Sequence, residues 1–181
     1  MKPVEMPPRP LPNTYWVVPG ALLAGEYPGA LQQADARRKL HALVEAGVTE
    51  FIDLTTVREL EPYKELLLEE AALIGVTASH ARHPVDDMNV PQSHREMVAI
   101  LDAMDVAVRA DRLVYVHCWG GIGRTGTVVG CWLVRHGLSG EDALARLDTL
   151  WRAMEKAPSR VSSPETPAQF SYVRNWSESG R

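Results

Sequence analysis

Four consecutive apolar residues, Leu113-Val114-Tyr115-Val116, constrain the fold of this chain more than any other stretch. A strand that is apolar on both faces needs cover on both, as in a mostly parallel sheet lying between helices. The run leads directly into a loop holding Gly120, Gly121 and Gly123, and then into an apolar helical stretch from about Thr125 to His136, ended by Gly137. Strand, glycine loop and helix in that order predict an α/β fold with a ligand site at the carboxyl end of the strand.

The rest of the chain reads as further strands and helices. Tyr15–Val18 and Ala21–Ala24 are short strands around Pro19-Gly20, and Glu50–Leu54 and Val76–His80 are two more. Helices are predicted from Gln32 to Ala46, from Pro62 to about Ile74, and from a Ser93 cap through the stripe Met97, Ile100, Leu101, Met104 and Val108. Ser139 caps another, with Leu144, Leu147, Trp151 and Met154 on one face. A last helix starts at Thr166-Pro167, with Gln169 placed for a capping box, and runs to Trp176. The predicted architecture is a central mixed, mostly parallel sheet flanked by helices. A Pro-rich arm over 1–13 precedes a single domain over 14–177, and 178–181 form a short tail.

Composition limits the function classes. With 45% hydrophobic and 23% charged residues, the 181-residue chain has enough apolar surface for a core and is not a disordered protein. A net charge of -4 with no Lys/Arg run argues against a nucleic-acid partner. No apolar stretch is long enough to span a membrane, and the start of the chain has no apolar signal core, so a cytoplasmic location is expected. Cys118 and Cys131 are too few for a disulfide framework and are judged singly. Cys131 lies in an apolar helix beside Val129 and Trp132, where packing is its expected role.

Cys118 is different. In His117-Cys118-Trp119-Gly120-Gly121-Ile122-Gly123-Arg124-Thr125, the three glycines let the backbone curl so that successive N–H groups converge on one point. Such a nest binds an anion, and the helix N-terminus that follows adds unpaired donors and positive partial charge. Arg124 supplies a planar fork that matches two phosphate oxygens. The same field favours a thiolate at Cys118. Residues 119–124 are therefore the expected phosphate cradle, with a sulfur nucleophile facing it.

The string Cys-x5-Arg-Thr preceded by His resembles the signature loop of the cysteine-dependent protein tyrosine phosphatases, and the small size resembles their dual-specificity branch. Pro84-Val85-Asp86-Asp87-Met88-Asn89-Val90-Pro91 is similar to the general-acid loop of compact members. The resemblance implies that Cys118 attacks phosphorus, that the loop amides and Arg124 hold the oxygens, and that Asp87 protonates the leaving group, with Asp86 its competitor. It implies that Thr125 donates a hydroxyl hydrogen bond to the sulfur and that His117 orders the loop from behind. No metal or other cofactor is implied. The implied substrate is a phosphorylated protein or peptide, on tyrosine and also on serine or threonine.

Alternatives remain open. The same chemistry could act on a phosphoinositide, an inositol phosphate or an RNA 5′ end. Relatives acting on highly charged inositol lipids tend to carry Lys in the loop, where this chain has Trp119 and Ile122. A non-catalytic phosphate-binding module ranks lower because Cys, Arg and acid are all present. A sulfur-transfer or arsenate-reducing enzyme fits the upstream Asp loop less well. His80, His83 and His94 match no metal spacing and read as surface or loop residues. Thr55, Arg58 and Glu59 read as a solvated loop, Gln169 as a cap, and Trp119 equally as pocket lining or loop cover. Oligomeric state and physiological substrate are not readable from the sequence.

Overall fold

The structure is a computed structural model that describes residues 6–160 and 162–178. In chain order the elements are β1 (Thr14–Val18), β2 (Leu22–Gly25), α1 (Gln33–Glu45), β3 (Val48–Asp53), α2 (Lys64–Ile74) and β4 (Ser79–Arg82). Then come α3 (His94–Arg109), β5 (Leu113–His117), α4 (Gly123–Arg135), α5 (Gly140–Trp151), a 3-10 turn (Ala157–Ser159) and α6 (Pro167–Arg174). The five strands form one sheet in the order β1-β2-β5-β3-β4. Only the β1–β2 pair is antiparallel; β2–β5, β5–β3 and β3–β4 are parallel. The mixed, mostly parallel sheet anticipated from the sequence is present.

The apolar run Leu113–Val116 lies in the central strand, β5. Val114 and Val116 point into a core shared with α3, α4, α5 and α6, while Tyr115 points into a second core shared with α1 and α2. All three are fully buried. Fully burying such a side chain contributes about 1.5–3 kcal/mol, so both faces of β5 hold the sheet in place. The connections then determine where the site lies. The chain leaves β5 into α4 on one face, whereas both neighbours, β2 and β3, lead to α1 and α2 on the other. Backbones that part to opposite faces open a crevice at the carboxyl end of β5.

Local chemistry sets the helix starts. The Ser93 and Ser139 hydroxyls accept from the amides of Glu96 and Asp142, and Thr166 with Gln169 closes a full capping box. Several boundaries differ from expectation. Helix α2 begins at Lys64, because Tyr63 is its cap and turns a buried ring inward. Strand β4 lies at Ser79–Arg82, later than Val76–His80, where His80 and Arg82 both reach the Asp53 carboxylate at the end of β3. Helix α4 starts two residues earlier than expected, which places Arg124 and Thr125 in its first turn. Helix α5 stops at Trp151, and Met154 is buried beyond it.

The described part of the Pro-rich arm lies against the domain. The Trp16 indole N–H donates to the Pro7 carbonyl at 2.9 Å, and the Glu155 amide donates to the Pro12 carbonyl at 3.2 Å. Residues 1–5 of the expected arm and 179–181 of the expected tail lie outside the described residues. Glu178, also assigned to the tail, pairs with Arg135.

Candidate active site

The segment from Cys118 to Ile122 joins β5 to α4 across the crevice. Its peptide planes are oriented from behind. The Cys118 carbonyl faces His117 Nδ1 at 3.1 Å, and the Trp119 carbonyl accepts from the Tyr27 amide at 3.0 Å. The Gly120 carbonyl accepts from Lys156 Nζ at 3.0 Å, and the Ile122 carbonyl from Ser163 Oγ at 2.8 Å. A carbonyl and the following N–H point opposite ways across a planar peptide. Holding four carbonyls outward therefore turns the N–H groups of Trp119, Gly120, Gly121 and Gly123 inward. One of them, Gly121 N–H, points at Cys118 Sγ at 3.2 Å. Gly121 has φ 73°, and a Cβ there would run into the Gly25 backbone, so only glycine fits.

His117 is fully buried, and burial lowers its pKa from 6.5 to about 4. A neutral ring carries one N–H. The carbonyl at Nδ1 can only accept, so the proton is on Nδ1 and Nε2 accepts from the Tyr63 hydroxyl at 2.7 Å. Burial also pushes the Tyr63 phenol well above its ordinary value, which keeps it a donor. Below this pair, buried Asp53 takes Thr55 N–H at 2.9 Å, Thr55 Oγ1 at 2.6 Å, His80 at 3.1 Å and Arg82 at 2.8 Å. Burial opposes its ionisation, but the bonds from His80 and Thr55 prevail and hold it well below the usual carboxylate range. His80 is thus part of a buried strand-end pair, a correction to its reading as a surface or loop histidine.

Arg124 is 2% exposed. Its Nη1 donates to Glu59 Oε2 at 2.9 Å and to the Val85 carbonyl at 3.0 Å, and its Nη2 donates to Glu59 Oε1 at 2.6 Å. Nη2 also lies 3.1 Å from Asp87 Oδ1. The third nitrogen, Nε, is buried with no hydrogen-bond partner among the described residues. Glu59 is itself held by Thr56 N–H at 2.9 Å and Thr56 Oγ1 at 3.2 Å. Burial works against its charge, but the bond from Arg124 outweighs it and lowers the pKa. Arg58 and Met88, each beside one of these carboxylates, have φ 69° and φ 61°. Non-glycine residues in that region cost roughly 1–2 kcal/mol each, so the fold places both carboxylates against some backbone strain.

The structure brings Cys118, residues 119–124 and Asp87 into one crevice, with His117 behind the loop. Thr125 Oγ1 is buried with no hydrogen-bond partner among the described residues, so the expected bond to the sulfur is not made here. Trp119 is 57% exposed and lines a neighbouring cavity with Gly120, Tyr27 and Arg160, a cavity to which Cys118, Arg124 and Asp87 do not contribute. Glu59, read as a solvated loop residue, is instead the main partner of Arg124. Tyr63, Lys156 and Ser163 were not anticipated at all. For Glu59 one signal existed: Thr56-x-x-Glu59 has capping-box spacing, and the structure uses it to hold the carboxylate. Among the described residues no three His, Cys, Asp or Glu side chains gather as a metal site.

Comparison with known proteins agrees with this geometry. The crystal structure of Tk-PTP in its active form superposes with a TM-score of 0.68 at 24% identity, covering 90% of this chain and 95% of that one. "Putative tyrosine phosphatase 067L" of Invertebrate iridescent virus 3 is 30% identical over 98 residues, 52% of this chain and 38% of the relative. The Arabidopsis thaliana protein named phosphatidylinositol 3,4,5-trisphosphate 3-phosphatase and protein-tyrosine-phosphatase PTEN1 is 30% identical over 99 residues, 54% of this chain and 22% of the relative. The matches thus span well under half the length of these curated relatives. The family model PTP-SAK, described as Swiss Army Knife protein, DSP-PTPase phosphatase domain, matches residues 11–171. With a match of that extent laid over this crevice, the chain belongs to the PTP-SAK family of dual-specificity-type cysteine phosphatase domains.

Proposed function

We propose that this protein hydrolyses phosphate monoesters through a cysteinyl-phosphate intermediate, with phosphotyrosine in a protein or peptide as the leading substrate and phosphoserine or phosphothreonine also accepted. One observation carries the reading. The loop amides are turned inward around Cys118 Sγ, and a buried arginine beside them keeps one nitrogen unpaired. Buried donors without partners are costly, and a bound oxyanion would satisfy them.

In the first step Cys118 Sγ forms a bond to phosphorus while the phosphorus–oxygen bond to the leaving group breaks. The loop N–H groups and Arg124 stabilise the three equatorial oxygens. Asp87 donates its proton to the departing oxygen. Its contact with Arg124 supports it over Asp86, because it already lies on the anion's side of the loop. In the second step Asp87 takes a proton from water, the water oxygen bonds to phosphorus, and Sγ leaves as a thiolate. A donor from Thr125, whose hydroxyl has no competing partner among the described residues, would assist that departure. Phosphoinositide turnover is the second reading, supported by the name of the Arabidopsis relative.

The test is a turnover screen of phosphotyrosyl and phosphoseryl peptides, a phosphoinositide and 5′-triphosphate RNA, run with wild type and Cys118→Ser. Phosphotyrosyl peptide is expected to react fastest, and the serine variant to bind phosphate without turnover. A phosphoinositide that outpaces every peptide would replace the substrate assignment. Aryl phosphatase activity surviving in the serine variant would overturn the covalent mechanism.

A further inference from the structure

The connection between α5 and α6 runs along the phosphate loop. Lys156 holds the Gly120 carbonyl and Ser163 the Ile122 carbonyl, so the connection touches the loop at two points. Arg160 lies between these anchors and is exposed. It lines a cavity of about 330 Å³ together with Trp119, Gly120, Tyr27, Leu31 and Lys39. It also lines a second depression, of about 280 Å³, with Met88, Ser162 and Glu165. Arg160 therefore stands between the wall carrying Trp119 and the residue that follows Asp87.

The charges of the first cavity are not equivalent. Lys156 Nζ binds Glu26 Oε2 at 2.5 Å, and Lys39 Nζ lies 3.9 Å from Glu26 Oε1. Glu61 also lines the cavity. Arg160 makes no ion pair among the described residues. Beside it the surface is apolar: Trp119 is 57% and Leu31 87% exposed. One uncommitted guanidinium next to exposed apolar side chains suits a single extra carboxylate on a partly apolar chain. A polyphosphorylated inositol headgroup would need several such cations, and here the lysines are already taken up by Glu26.

Building on the phosphatase reading, we propose that Arg160 and the Trp119–Leu31 wall form a specificity subsite that recognises an acidic side chain close to the phosphorylated residue of a peptide substrate. Arg160 would pair with the carboxylate, and the aliphatic part of that residue would pack on Trp119. Arg160 is a specificity residue and takes no part in the chemistry.

The experiment compares kcat/KM for phosphotyrosyl peptides with Glu or Ala beside the phosphotyrosine, alongside p-nitrophenyl phosphate and a phosphoinositide. Wild type should prefer the acidic peptide by roughly 3–10-fold, mostly through KM, with the preference shrinking at high salt. Arg160→Ala should bring the two peptides within about twofold and leave p-nitrophenyl phosphate hydrolysis unchanged, while Arg160→Lys should keep part of the preference. Equal rates on both peptides in wild type, or a preference that persists in Arg160→Ala, would overturn the subsite. So would a loss confined to the phosphoinositide. A wild type inert toward p-nitrophenyl phosphate fails the phosphatase reading and the subsite with it. One that hydrolyses it but ignores acidic flanks fails the subsite alone.

Discussion

At the scale of single residues, Arg124 divides its work among its nitrogens. Glu59 takes one hydrogen from each terminal nitrogen and so sets the plane of the fork. Glu59→Gln keeps the size but loses the charge and one acceptor. Since hydrogen bonds to charged groups are worth about 1.5–3 kcal/mol, kcat/KM should fall about 10–100-fold, with vanadate affinity falling alongside. Unchanged kinetics would mean that the loop alone fixes the arginine. The two aspartates separate by leaving group. Asp87→Asn should slow tyrosyl phosphate by about 10²–10⁴-fold and a nitrophenyl ester much less, with Asp86→Asn near wild type. The reverse pattern would move the acid to Asp86. His117 gives a stability signature. Its folded pKa of about 4 is below the ordinary 6.5, so between those values the unfolded chain binds the extra proton. Its contribution is complete above pH 6.5 and is lost as pH falls towards 4, up to about 3 kcal/mol. Urea unfolding from pH 7 to pH 4.5 should therefore be steeper for wild type than for His117→Gln; parallel curves would show that the ring is not held neutral.

At the scale of elements, the anchors behind the phosphate loop make the next prediction. Lys156→Met removes the donor to the Gly120 carbonyl and one partner of Glu26, and Ser163→Ala removes the side-chain donor to the Ile122 carbonyl, leaving the Gly126 N–H. Each should lower kcat more than it raises KM for an aryl phosphate and weaken vanadate binding about tenfold, because a misaimed amide loses most of its transition-state contact. Thermal unfolding measured on the same samples separates this from simple destabilisation. The anchors also explain which parts were legible in the sequence. Val114, Tyr115 and Val116 announce β5 because a strand buried on both sides needs apolar residues on both. Ser93, Ser139 and the Thr166–Gln169 pair announce helix starts because capping is local. The segment 117–125 announces a cradle because its glycines and arginine are contiguous. Lys156 and Ser163 carry no such mark: a lysine and a serine in a loop become parts of the site only when a connection over thirty residues away is laid beside it. Strand β4 was misplaced for a related reason, since its register depends on the long-range pull of Asp53 on His80 and Arg82.

At the scale of the whole molecule, the sheet separates two cores and the α4–α6 contact closes the larger one. Gly130 permits that contact: a Cβ there would sit 2.7 Å from Val173 Cγ1. Replacing glycine by alanine inside a helix ordinarily gains about 1 kcal/mol, but crowding a packed interface costs about 1–3 kcal/mol, so Gly130→Ala should be destabilising here. Val173→Ala should then cost less in the Gly130→Ala background than alone, as a double-mutant cycle in urea would read; strict additivity would show that α6 does not bear on Gly130. The four donors behind the phosphate loop come from positions 27, 117, 156 and 163, scattered over most of the chain. A polypeptide still emerging during synthesis, or one clipped before Lys156, would display every letter of the signature from His117 to Thr125 while the Gly120 carbonyl lacked its lysine and the Ile122 carbonyl kept only the Gly126 N–H. Possession of the motif and possession of a fully braced loop are thus separated in time: the bracing is complete only when Lys156 and Ser163, near the end of the chain, have arrived.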